Sequence, residues 1–195
     1  MSSQTSGGAR AYARQIGDDI EHRVASTIAP VALVPLAWLL VGLAHLDAVT
    51  HRTVLVFHVV AAVLIAAFAA LSWDEMESGV LRVWRDILLV GLLLTVGGII
   101  GLRYSPLRDP FLTTTILGWM VVPGVGLYYT GKRVPADQRA YTAGAALSVL
   151  GAAVYAVALF PAAESALLAG IALVLVGQTV GIVQAARRPE ETPSG

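Results

Sequence analysis

The chain has 195 residues, of which 56% are hydrophobic and 13% charged, and its formal net charge at pH 7 is zero. Soluble domains carry about 25% charged residues, so this balance fits a bundle surrounded by lipid rather than a domain surrounded by water. Zero net charge supplies no basic field for nucleic acid. The lack of cysteine removes disulfides, thiolate metal sites, iron–sulfur clusters and cysteine nucleophiles.

Residues 1–9 are small and polar and read as a disordered tail. In residues 10–27, Tyr12, Ile16, Ile20 and Val24 recur at every fourth position, with Arg10, Arg14, Asp18, Asp19, Glu21 and Arg23 between them. That spacing predicts a short amphipathic lead-in helix. It either lies in the membrane interface or extends the first span over the ends of its neighbours.

A bilayer core about 30 Å thick needs roughly 20 apolar residues in a helix. Six runs meet that need, approximately 28–46, 53–72, 85–102, 111–130, 141–160 and 164–185. The expected fold is therefore all-α: a polytopic bundle of six transmembrane helices over 28–185, with 186–195 as a second disordered tail. The connections are short and predict antiparallel neighbours. The first two runs read as a hairpin, and three of the four histidines lie near its bend.

Orientation follows from the basic residues. An even number of spans puts both termini on one side, and ten of the thirteen Lys and Arg residues fall on that side. The termini are therefore expected in the cytoplasm. Only Lys132 is a lysine, and the Arg, Ala, Val and Gly load suggests GC-rich coding and a prokaryotic cell membrane as the address. Trp73, Trp84 and Tyr104 are expected in the interfacial aromatic belts.

Small residues allow helices in lipid to approach closely. Gly97 with Gly101, Gly177 with Gly181, and the series Gly144, Ser148, Ala152 form such faces. They are expected to serve contacts within the bundle first, and a second copy or another membrane protein second. Pro30 and Pro35 fall in the first span and Pro123 in the fourth. A proline removes a backbone hydrogen bond, and transporters use breaks at corresponding positions of two halves. A shift of 88 residues does lay Val34-Pro35 on Val122-Pro123, but the identity there is close to what two Ala/Val/Leu-rich segments share by chance.

Few residues bear chemistry. His45, Asp47, His51 and His58 cluster at the first bend, and imidazole with carboxylate is metal-ligand chemistry. Their spacing matches no ligand motif, so no metal site or cofactor is assigned. His58 is the deepest of them, and an ionisable group below the headgroups is a functional candidate by default. Gln178 is the other intramembrane polar group, expected either to bond a neighbouring helix or to line a polar path. Glu164 opens the sixth span, where the helix dipole favours a carboxylate. His58, Gln178, Glu164 and His45 are thus the candidate polar-pathway residues, and no catalytic residue is assigned. Asp74, Glu75 and Glu77 face Arg82 and Arg85 across one connection and read as a solvated turn with local ion pairs.

There is no GxSxG, HExxH, Walker or GxGxxG pattern and no paired acidic motif. Three functions follow as expectations. The leading one is a small transport or permeation protein. The alternatives are a non-catalytic scaffold or partner subunit and a haem- or metal-binding redox or sensor subunit. An enzyme is the least favoured, because a membrane active site needs several convergent polar groups.

Overall fold

In a computed structural model of the chain, the described residues are 29–104, 106, 108–160 and 166–187. The lead-in helix expected over 10–27, the first tail and Glu164 lie outside them, as does the second tail from residue 188 onward. Six helices follow one another: α1 (Ala29–His45), α2 (His51–Leu71), α3 (Gly79–Arg103), α4 (Arg108–Arg133), α5 (Gln138–Ala158) and α6 (Leu167–Ala186). One-turn 3-10 helices at Asp74–Met76 and Pro135–Asp137 join α2 to α3 and α4 to α5. There is no strand among the described residues.

Helices α2 to α6 are long and apolar enough to cross a membrane. The described part of α1 has 17 residues, about 25 Å at 1.5 Å per residue, and is apolar but shorter. Two helices outrun their expected limits at both ends. Helix α3 starts at Gly79 rather than 85, and α4 covers 108–133 rather than 111–130. Hydropathy finds only the apolar stretch of a helix. The backbone ladder continues through Arg82, Arg85, Arg108, Lys132 and Arg133, whose long side chains suit the headgroup zone.

The outer surface is apolar. Leu93 is 73% exposed, Val63 63% and Leu36 55%, exposures that would form an aggregating patch in water and carry no penalty in lipid. The interior is filled, with Met120, Leu127, Val174 and Ser148 fully buried. Trp38, Ala152, Tyr155 and Ile171 complete the main cluster around Met120 and Val174.

Packing does not follow chain order at the start. Helix α1 lies against α6, and α2 lies against α3, while α1 and α2 barely touch. The first two runs are consecutive spans but not a packed hairpin. Helix α2 is peripheral, with Ala69 its one buried residue. The turn between α1 and α2 explains the separation in part. Ala48 N–H bonds Leu43 O at 2.9 Å and Asp47 N–H bonds Ala44 O at 3.2 Å, a Schellman stop. Asp47 takes the left-handed position, φ 53°, where glycine is usual, and puts a carboxylate at the negative end of the α1 dipole. Asp47→Gly should stabilise the protein by about 0.5–1 kcal/mol in detergent unfolding; an unchanged or lowered midpoint would contradict the capping role.

The tightest interface is between α5 and α6, and it rests on glycines seven apart. An added Cβ on Gly144 would lie 2.5 Å from Gly177 O, and one on Gly177 would lie 2.7 Å from Gly144 O. One turn-pair away, Gly151 meets Gly170 O at 2.6 Å and Gly170 meets Gly151 O at 2.8 Å. The small-residue faces read from four-residue spacing are thus spent largely inside the chain. Gly144, Ser148 and Ala152 are buried on α5, Gly177 and Gly181 on α6, and Gly181 receives the Leu127 side chain. Gly97 packs only at ordinary distance on Phe111, 3.5 Å. On α3 it is Gly91 and Gly98, again seven apart, that admit rings from α4 and α2. Two turns of helix separate such positions, so residues seven apart return to nearly the same face.

Candidate functional site

The centre of the bundle is organised by a missing hydrogen bond. Pro123 lies inside α4 and has no N–H, so the carbonyl of Trp119, four residues earlier, loses its helical donor. The Gln178 side chain on α6 replaces it: Nε2 donates to Trp119 O at 2.9 Å, and at 3.4 Å to Met120 O. The amide oxygen is used as well. Trp38 on α1 donates its indole N–H to Gln178 Oε1 at 2.9 Å. One amide therefore joins α1, α4 and α6, and both of its ends are satisfied within the protein.

This corrects the expectation of a broken fourth helix, since α4 is continuous from Arg108 to Arg133. Its neighbouring glycines are packing sites. Gly124 lies on Ser148 and Gly126 on Ile87. Helix α1 is likewise continuous through Pro35.

Two tryptophans clasp α3 and α4 reciprocally. Trp119 on α4 covers Gly91 on α3, where a Cβ would lie 2.5 Å from its ring. Its Nε1 donates to Thr95 Oγ1 at 3.1 Å, and Thr95 donates to Gly91 O at 2.8 Å. Trp84 on α3 repeats this on α4. Its ring lies against Gly126, its Nε1 donates to Thr130 Oγ1 at 3.1 Å, and Thr130 donates to Gly126 O at 2.8 Å. Both halves have the spacing W-x6-G-x3-T, Trp84-Gly91-Thr95 and Trp119-Gly126-Thr130. Trp84 is therefore an interhelical clasp, while Trp73 and Tyr104 are exposed, 43% and 61%. Thr115 adds a third bond between these helices, from Oγ1 to Leu94 O at 2.7 Å.

The histidines are dispersed. His45 Nδ1 lies 2.8 Å from Val41 O, and Nε2 lies 2.9 Å from the Tyr155 hydroxyl on α5. A carbonyl only accepts, so in the neutral ring Nδ1 carries the proton and Tyr155 donates to Nε2. His51 donates from Nε2 to Leu102 O at 2.9 Å, tying α2 to the end of α3. His58 donates from Nδ1 to Val54 O at 2.9 Å, and its ring presses on Gly98. His45 thus serves α1 and α5, whereas His51 and His58 serve α2 and α3. Among the described residues no three His, Asp or Glu side chains converge on a point that a metal ion would occupy.

The polar-pathway candidates are not brought together. Gln178 is buried at the centre, His45 and His58 face different helices, and Glu164 lies outside the described residues. A groove of about 340 Å³ exists on the α3–α4 surface, lined by Val90, Leu93, Leu94, Gly97, Pro110, Phe111, Thr114 and Thr115. It includes none of His45, His58 or Gln178.

At the opposite end from the histidines, the acidic turn also differs from expectation. Asp74, Glu75 and Glu77 are exposed, and among the described residues no ion pair within 4 Å joins them to Arg82 or Arg85. Arg85 lies instead over the Trp73 ring, 4.4 Å from its centroid.

The residues that sequence reading overlooked are Trp38, Tyr155 and the two Trp–Gly–Thr sets. The repeated W-x6-G-x3-T spacing was the available signal. No family model, curated protein or solved structure matches the chain; its apolar helices fit a multi-pass membrane protein with an interior tied by its own polar groups.

Proposed function

We propose that the protein is a non-catalytic membrane subunit, a rigid helical platform that acts through its outer faces and connections, placed in the cell membrane with both termini in the cytoplasm. The observation that carries this reading is the state of Gln178. The central polar side chain binds Trp38 on one side and the Trp119 carbonyl on the other, so both ends of the amide already serve the fold. A transport path through the bundle would ask Pro123 to be a hinge and Gln178 to be a lining group. Here the two complete one another. A redox subunit would ask histidines to face each other, and His45 and His58 bond different helices.

The natural lack of cysteine makes this directly testable. Single cysteines at Ser148 and Val174, both fully buried beside Gln178's helix partners, are expected to resist a polar thiol reagent in intact vesicles and to react after denaturation. Ala136→Cys, on the exposed connection before α5, is the reactive control. Labelling of position 148 or 174 in the native protein would reveal a water-filled path and favour transport.

A further inference from the structure

Three cations at one end of the bundle are each laid over an aromatic ring. Arg85 lies on Trp73 with its guanidinium carbon 4.4 Å from the ring centroid, Lys132 on Tyr128 at 5.4 Å, and Arg133 on Tyr129 at 4.7 Å. The Trp84–Thr130 bond fixes the relative height of α3 and α4. Arg85 follows Trp84 directly, and Lys132 and Arg133 come two and three residues after Thr130 on the antiparallel helix, so at ~1.5 Å per residue the three cations lie within about one helical turn in height, a narrow layer at this end of the bundle. Among the described residues none of them has a carboxylate within 4 Å. The Arg85 Nε is buried and has no acceptor, an expensive state for a charged donor. The exposed Asp74, Glu75 and Glu77 stand at the same end and leave it unmet. Arg52, Arg103 and Arg108, at the other end, have no such aromatic seat among the described residues.

We infer that this layer is a binding collar for anionic phospholipid, with the headgroup phosphates meeting Arg85, Lys132 and Arg133. Cation–π seating holds a long basic side chain in one place without neutralising it, which is what a fixed plane of phosphates requires. With its Nε buried and no carboxylate beside it among the described residues, Arg85 has its terminal N–H groups left for phosphate oxygens. The tyrosine and tryptophan seats are amphipathic and suit the same depth. The collar marks the leaflet richer in anionic lipid as the one at this end of the bundle.

The test is native mass spectrometry of the full chain released from mixed micelles of equal phosphatidylglycerol and phosphatidylcholine. The wild type is expected to retain phosphatidylglycerol in excess. A cation near a membrane surface contributes about a fivefold preference. The triple variant R85Q/K132Q/R133Q should therefore lose about a hundredfold of it, and the opposite-end variant R52Q/R103Q/R108Q should keep it. K132Q/R133Q, which leaves Arg85 in place, should lose about 25-fold and serves if the triple variant does not fold. Equal retention of the two lipids by the wild type, or the same loss in both end variants, overturns the collar. Displacement of the lipid by millimolar inorganic phosphate would assign the layer to a free anion and overturn it too.

Discussion

Gly144→Val is expected to destabilise the bundle by about 3 kcal/mol. The new Cβ would sit 2.5 Å from the Gly177 carbonyl oxygen, and the obstruction is backbone on a neighbouring helix. No rotamer relieves it, so α5 and α6 must separate along their length. Separation opens the Gly151–Gly170 contact as well, because the two pairs lie on the same seam. Gly42→Val is the matched control. Nothing lies within 4 Å of a Cβ there, and the change should remain within about 0.5 kcal/mol. Unfolding by sodium dodecyl sulfate in mixed micelles, followed by circular dichroism, measures both. Similar losses for the two variants would mean that valine in a helix, not the seam, sets the cost.

The second large effect is expected at Gln178. Gln178→Leu preserves the volume but leaves two polar groups without partners, the Trp38 indole N–H and the Trp119 carbonyl. About 2 kcal/mol should be lost. The origin of the loss can be isolated with Pro123→Ala, which restores an N–H four residues after Trp119 and returns the carbonyl to the helical ladder. In a double-mutant cycle, Gln178→Leu should cost about 1 kcal/mol less in the Pro123→Ala background than in the native one. Additive losses would show that Gln178 does not serve the proline gap.

Part of this was legible from residues alone. Spans are set by apolar runs of fixed length, and bilayer thickness leaves little choice of where they start, so six helices follow from hydropathy. Helix ends were less legible, because Arg82, Arg108, Lys132 and Arg133 stay helical outside the apolar stretch. Pro123 announces that the Trp119 carbonyl needs a donor, but the donor lies 59 residues away on α6. Local chemistry names the need, and only tertiary packing names the residue that meets it. His45 shows the same limit. Near the first bend it read with Asp47, His51 and His58 as one cluster, whereas its partner is Tyr155, 110 residues distant. The small-residue faces on α5 and α6 were legible as contacts within the bundle, but not their register, because the close backbone approaches recur seven residues apart, at Gly144 with Gly151 and Gly170 with Gly177.

The seat of α1 on α6 has a consequence for how the protein is made. Trp38 and Gln178 are 140 residues apart, and at roughly 5–20 residues per second a ribosome needs about 7–28 s to span that gap. Helix α2 meets α3 soon after both emerge, and the two tryptophan clasps close as soon as α4 is complete. Helix α1 has no comparable neighbour until the last span arrives. For that interval α1 is a lodger in the bilayer, stable because its exposed leucines are at home in lipid, with its indole waiting for an amide still to be translated. Helix α1 is thus made well before the helix that seats it.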